Sequence, residues 1–191
     1  MGEFFALLTA AFWAGAVICF KRAGEVLPPL ALNLFRVAVS SVLLVITAAV
    51  MGHPPWQQAP ARHLLLILAS GTIAIAVADT FFHAALNRVG AGISAVIDCL
   101  YPPATAVFAM LLLGERLSRG DVVGMLLVVG AVLVTTRVAP PAGISRRTLL
   151  AGILLGCASM GALSLGIVIV KPVLTDGRSV IWVTTMRQLA A

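Results

Sequence analysis

Six long stretches that are nearly free of charge follow one another almost end to end along this chain, and a seventh opens at Ser179. The uncharged run 4–20 already matches the thickness of a bilayer core, and 64–86 and 148–170 exceed it. About 20 apolar residues at 1.5 Å each span the roughly 30 Å hydrocarbon layer. Only 10% of the residues are charged, so a soluble core is excluded. The sequence predicts an all-α polytopic membrane protein.

The predicted spans are separated by short links and by proline- and glycine-rich breaks. The link 87–90 forces the third and fourth spans into an antiparallel hairpin, and 114–119 does the same for the fourth and fifth. Small residues four positions apart predict close helix approach, as in Ala74/Ala78, Gly120/Gly124 and Gly152/Gly156. The predicted spans are 3–21, 30–51, 64–86, 91–113, 120–137 and 149–170, with a seventh from about 179.

The basic residues are scattered and form no cluster with aromatic side chains. The net charge of +6 therefore indicates headgroup-level anchors and not a nucleic-acid partner. With the N-terminus inside, internal loops carry five basic residues and external loops six, so the positive-inside rule does not decide the orientation. Trp56 and Trp182 lie near predicted span ends and are expected to be interfacial anchors.

A weak internal repeat is visible. The first span is followed by Arg22 and, in the next predicted helix, by Arg36. The sixth span is followed in the same way by Lys171 and then by Arg187. Five spans precede the second copy, and an odd number inverts it in the membrane, as in inverted-repeat transporters. The expected organisation is a first repeat at 1–138, a linker at 139–148 and the start of a second repeat at 149–191. Because the sequence stops at Ala191 inside a predicted helix, we expect it to be a fragment.

Several short motifs, in order and spacing, resemble the EamA-type family of the drug/metabolite transporter superfamily. The resemblance covers about 4–137 well and 150–191 partly. It implies ten helices in two inverted five-helix repeats, a small-molecule substrate, and a multi-pass location in the plasma (inner) membrane with the N-terminus cytoplasmic. Asp98 departs from the family pattern, which usually has an uncharged residue there. The carrying segments are 12–15, Ala31 with Arg36, 78–80, 85–91, Pro102, 114–117, Gly124 and Gly130.

Charges at bilayer depth are costly and mark functional sites by default. Asp79 and Asp98 lie equally far from the turn between the third and fourth spans, about 14 Å along their helices. Arg36 and Trp13 reach a similar layer from the same side of the membrane. In the functional interpretation an aspartate takes a proton or recognises a cationic group, Arg36 balances charge or binds an anion, and Trp13 forms an aromatic wall.

A structural interpretation stands beside the functional one. Arg36 and Asp79 would form a packing ion pair, which we favour, whereas for Asp98 we favour function. His83, one turn from Asp79, suits a proton relay but is more typical of a satisfied packing histidine.

Turn and kink residues also have two interpretations. Pro102 should break the fourth span just past Asp98, as a gating hinge or simply as packing geometry. Gly114 and Glu115 belong to the following turn, where capping and headgroup contact are the expected roles.

The leading functional hypothesis is a secondary active transporter that works by alternating access. Proton or ion coupling and a homodimer remain open. An enzyme is not expected, because no nucleophile–base pair or metal motif is present, and the sequence indicates no cofactor. The remaining alternative is a non-transporting membrane module that packs against a partner protein.

Overall fold

A computed structural model describes residues 2–136 and 144–191, and these residues are almost entirely helical. Within this part of the chain, four helical stretches are long and apolar enough to cross a membrane: Gly2–Ala23, Pro29–Val50, Ala61–Asp98 and Arg146–Thr175. Arg137 and the first half of the predicted linker, 139–143, lie outside the described residues. The helices are α1 (Gly2–Ala23), α2 (Pro29–Val50), α3 (Ala61–Gly71), α4 (Ala78–Asp98), α5 (Tyr101–Leu113), α6 (Arg119–Thr136), α7 (Arg146–Thr175) and α8 (Val180–Leu189).

Two breaks shape the central part of the chain where the sequence predicts them. Gly90 interrupts α4 with φ 79° and ψ 171°, a conformation that glycine adopts without steric cost. Past Asp98 the chain turns, and α5 begins at Tyr101 with prolines in its first turn. Proline is tolerated there because the first N–H groups of a helix have no intrahelical acceptor. The helical break predicted at Pro102 is therefore confirmed.

Helix α7 packs against both arms of the hairpin that turns at Gly90: the first arm is the segment from Ala61 to Val89, and the second arm is the segment from Ala91 to Leu113. Gly152 lies against Val89, and Gly166 lies against Ala74 and Ser70. Later residues of α7 thus meet earlier residues of the first arm, so α7 and that arm are antiparallel. Tight contact at glycine lets the two helix backbones approach closely.

The other face of α7 follows the second arm in the same direction. Gly156 lies against Ile97, and further along α7 the Ser164 hydroxyl donates to the Tyr101 carbonyl at 3.1 Å. Because α7 is antiparallel to one arm and parallel to the other, the arms are antiparallel, as the sequence predicts. The close approach expected of Gly152 and Gly156 is confirmed.

Two expectations are wrong. Trp182 is only 1% exposed and packs with Ile67 and Val170, because α8 lies against α2 and α3. It is therefore a core residue and not an interfacial anchor. Trp56, in contrast, is 77% exposed. A Cβ at Gly124 would meet no atom within 4 Å, so among the described residues this glycine mediates no close helix contact.

The outer helices present large apolar side chains to the surroundings. In α1 the exposed side chains include Phe4, Leu7 and Phe12, and Val17 is the one that is buried. Large apolar patches of this extent require a non-aqueous environment or a partner. The exposed faces and the apolar helices together indicate a multi-pass membrane protein.

Candidate functional site

Arg36 of α2 and Asp79 of α4 form an ion pair within the apolar helices. Their side chains are 25% and 19% exposed, so much of each is removed from the surroundings. This contact is the ion pair of the structural interpretation that the sequence analysis favours for Arg36 and Asp79. A charge at this depth is tolerated when an opposite charge compensates it.

The position of Arg36 is fixed by Asn33, one helical turn earlier on α2. The Asn33 side-chain oxygen accepts a hydrogen bond from Arg36 Nη2 at 3.0 Å. Its Nδ2 lies within hydrogen-bond distance of the carbonyls of Ile75 and Ala76, at 3.0 and 3.2 Å. These carbonyls belong to a π-helical segment, Thr72–Val77, that joins α3 to α4. A π segment rearranges the ordinary backbone bonds and is frequent at functional sites, and here it supplies the acceptors for Asn33.

A second arginine, Arg187 of α8, acts electrostatically on Asp79 and interacts with Tyr101. The next residue, Gln188, donates a hydrogen bond to Ser40 of α2. In the sequence, Arg187 stands out only as the repeat counterpart of Arg36, and it is not predicted as a site residue. The predicted repeat, which pairs Arg187 with Arg36, was the sequence signal that could have found it.

Asp98 lies at the end of α4 and faces a cavity of about 530 Å³. The Trp13 indole donates a hydrogen bond to the Asp98 carboxylate, and the Trp13 ring also packs on Phe82 at 5.7 Å between centroids. Among the described residues, Asp98 forms no ion pair. Residues of α1, α4, α5 and α7 line this cavity: Trp13, Ala95, Asp98, Cys99, Tyr101, Pro102, Met160 and Leu163.

A neighbouring cavity of about 470 Å³ shares Tyr101 and Pro102 with the first. Glu115 and Lys171 border it and form an ion pair with each other. Glu115 thus contacts α7, which is long enough to place Lys171 beside the α5–α6 turn, and the headgroup contact expected of Glu115 stays a prediction. Gly114 ends α5 in the left-handed conformation, with φ 68°, which suits its predicted structural role.

His83 is buried between aromatic rings and does not reach the Asp79 carboxylate by a hydrogen bond. Its ring lies edge-on to Phe20 at 4.9 Å and near Phe82 at 5.7 Å. Both ring nitrogens lack a hydrogen-bond partner among the described residues. The expectation of a packing histidine fits the ring contacts, but the expectation that its polar atoms are satisfied does not.

The residues of α7 that contact the neighbours of Asp79 and Asp98 show that the two aspartates lie at similar depths. The Ser159 hydroxyl donates to the Ala78 carbonyl at 2.7 Å, next to Asp79. Gly156 meets Ile97, next to Asp98. Three residues of α7 separate these levels, which corresponds to about 4.5 Å along the axis. The structure thus brings Arg36, Asp79, Asp98 and Trp13 into one layer, as the hairpin geometry predicts.

No group of three or more His, Cys, Asp or Glu side chains in 2–136 and 144–191 is placed to hold a metal ion. What the arrangement offers is one compensated charge pair, one carboxylate on a cavity, and aromatic side chains beside it.

The model of the EamA-like transporter family matches residues 1–137. An uncharacterized transporter of Archaeoglobus fulgidus is 24% identical over 120 residues, which cover 63% of this chain and 42% of that protein. An uncharacterized transporter of Clostridium kluyveri is 23% identical over 134 residues, 70% of this chain and 43% of that protein. The chain thus matches less than half the length of these relatives. No solved structure matches significantly.

Proposed function

Because this chain belongs to the EamA-like transporter family, we propose that the whole protein is a secondary active transporter of a small molecule. It works by alternating access between two inverted repeats, of which residues 1–138 form the first and 149–191 begin the second. It lies in the plasma membrane with the N-terminus in the cytoplasm, an assignment that rests on the family resemblance alone. Inverted repeats that rock around a fixed midplane site are a common design of such transporters.

The observation that carries the proposal is the position of Asp98. This carboxylate lies at bilayer depth on a cavity whose walls come from both proposed repeats: Trp13 and Pro102 from the first, Met160 and Leu163 from the second. A site between two bodies opens or closes as they move against each other. The ionisable residue in that site binds the substrate or the coupling ion.

Other residues of the layer have supporting roles in this mechanism. Arg36 and Asp79 hold α2 against α4 and keep the first repeat together. Tyr101 and Pro102 lie between the two cavities, and movement at the break before α5 changes the passage between them. The Glu115–Lys171 pair closes the second cavity on the side of the membrane where α1 begins.

The test uses the full-length protein in proteoliposomes with an imposed pH gradient. A panel of labelled small metabolites, including amino acids, carboxylates and amines, is offered one compound at a time. We expect at least one compound to accumulate faster than in protein-free liposomes. Asp98→Asn should abolish gradient-driven accumulation, because it removes the ionisable group and keeps the side-chain shape.

Asp121→Asn is the matched control. Asp121 is an exposed aspartate at the start of α6, where its carboxylate accepts from the Ser118 N–H at 2.8 Å. This variant should transport like the unmodified protein. Transport by Asp98→Asn with an unchanged pH dependence would remove Asp98 from the mechanism. Folded, inserted protein that moves none of the compounds would favour the non-transporting membrane module.

A further inference from the structure

Asp98 differs in its surroundings from Asp79, the other carboxylate of the polar layer. Its neighbour in space is the Trp13 indole N–H, a neutral donor that does not cancel a negative charge. The ion pairs formed within 2–136 and 144–191 are Arg36–Asp79, His63–Asp176 and Lys171–Glu115. A carboxylate at this depth that has no cationic partner among the described residues favours a cation from outside.

The other side chains that line the cavity indicate what kind of molecule would carry that positive charge. Beside Asp98 lie two aromatic rings, Trp13 and Tyr101, and the thioether of Met160. Aromatic faces attract ammonium groups, most strongly where water is excluded, and a thioether makes favourable contacts with rings. Ala95 and Leu163 complete walls that are mainly apolar. These side chains suit a bulky apolar group better than a small hydrated ion.

We propose that the Asp98 cavity binds an organic cation in which an ammonium group is joined to an apolar body the size of an aromatic ring. The carboxylate holds the ammonium group, Trp13 and Tyr101 flank it, and the apolar body lies toward Met160 and Leu163. This inference rests on the proposed function, for which it names the substrate class. It can also fail or succeed alone, because binding needs no gradient and no movement of the repeats.

The cavity volume is compatible with such a ligand. About 530 Å³ lies within the range of roughly 300–1,000 Å³ that is typical of small-molecule sites. An anion is disfavoured by the carboxylate. A metal ion is disfavoured because no group of three or more His, Cys, Asp or Glu side chains among the described residues is placed to hold one, and Cys99 is the one such residue that lines the cavity beside Asp98.

The test measures equilibrium binding of labelled benzyltrimethylammonium to the full-length protein in lipid nanodiscs without a gradient. This probe carries a permanent positive charge beside one aromatic ring. Neopentylbenzene, in which carbon replaces the charged nitrogen, is its uncharged counterpart of the same shape. Benzenesulfonate is the anionic counterpart. We expect saturable binding of the cation, poor displacement by neopentylbenzene, and none by benzenesulfonate.

The variants separate charge from shape. Asp98→Asn should weaken binding by roughly tenfold or more, the factor that corresponds to about 1.4 kcal/mol. Asp98→Glu keeps the charge and should bind more tightly than Asp98→Asn. Trp13→Leu removes an aromatic face and should cause a smaller loss, and Asp121→Asn should bind like the unmodified protein. Each variant is first checked for folding by its thermal transition, and the Asp98→Glu and Trp13→Leu variants keep the test decisive where Asp98→Asn does not fold.

Several results would overturn the inference. One is Asp98→Asn protein that binds the cation as tightly as the unmodified chain. Another is displacement by neopentylbenzene as effective as by the cation itself, which would make the cavity a purely apolar pocket. Gradient-driven transport of other compounds without cation binding would contradict this inference and leave the proposed function intact. Cation binding without transport of any compound would contradict the proposed function and leave this site intact.

Discussion

Asp79 and Asp98 lie in the same hairpin, at similar depth, and have the same side chain, yet their surroundings differ. Asp79 is paired with Arg36, and Arg36 is held through Asn33 by backbone carbonyls of the π segment. Asp98 accepts from the Trp13 indole and otherwise faces a cavity of about 530 Å³. The difference lies in what the neighbouring helices supply: α2 brings an arginine to one aspartate, while α1 and α7 bring aromatic and apolar side chains to the other.

This contrast separates a charge that stabilises the fold from a charge that is available to a ligand. Removal of one member of a compensated pair leaves an uncompensated charge in a poorly solvated layer, and that is costly. Removal of an uncompensated charge relieves such a cost. Stability measurements on single variants therefore distinguish the two regions directly.

The largest effect should come from Arg36→Met. It leaves Asp79 without the guanidinium that contacts it, and breaking such a pair costs about 3 kcal/mol. Reversible denaturation in mixed detergent micelles measures the free energy of unfolding. Arg22→Met, at an exposed arginine near the end of α1, should change it little. The double variant Arg36→Met/Asp79→Asn should recover part of the loss, and a strictly additive loss would show that the two groups are not coupled.

A smaller effect should follow from Gly166→Ala, which tests how firmly α7 is held on the Asp79 side. A Cβ at Gly166 would lie 3.0 Å from the Ser70 carbonyl oxygen and would press on Ala74. Overpacking of this kind costs about 1–3 kcal/mol. Gly161→Ala, on the same helix with no atom within 4 Å of the new Cβ, should be neutral or stabilising by up to about 1 kcal/mol. Equal responses in thermal transitions would refute the close contact.

The smallest effect on stability should come from Asp98→Asn. Asparagine keeps an acceptor for the Trp13 indole and removes a charge that no described side chain compensates. We expect the free energy of unfolding to change by less than about 1 kcal/mol, toward greater stability. The same denaturation assay applies. A loss as large as that of Arg36→Met would mean that Asp98 is a structural residue and would remove the contrast between the two aspartates.

The sequence predicts the framework of this site because chain distance fixes depth along a helix. The antiparallel hairpin around Gly90, the break after Asp98 and the common layer of Arg36, Asp79 and Asp98 follow from spacing and from the rise per residue. The prediction that Trp182 is an interfacial anchor is wrong because it uses depth alone. Position near a span end indicates depth along the membrane normal, but it does not tell whether a side chain faces lipid or a neighbouring helix.

Sequence patterns do not predict contacts between segments that lie far apart in the chain. Lys171 reaches Glu115, which lies 56 residues earlier in the chain, and Arg187 acts on Asp79 from α8. Such contacts depend on which helix packs beside which. Periodicity within one helix carries no information on that choice, and the weak repeat only hinted that Arg36 and Arg187 are equivalent.

By itself the sequence determined that this chain crosses a membrane as helices, where it turns, and at which depth its few charges lie. These follow from hydrophobic length and from a fixed rise per residue, both local properties of the chain. Only the tertiary structure decided that Asp79 is compensated and that Asp98 faces a cavity. That outcome depends on the lateral arrangement of α1, α2 and α7 around the hairpin, because compensation of a charge requires contact and not merely equal depth.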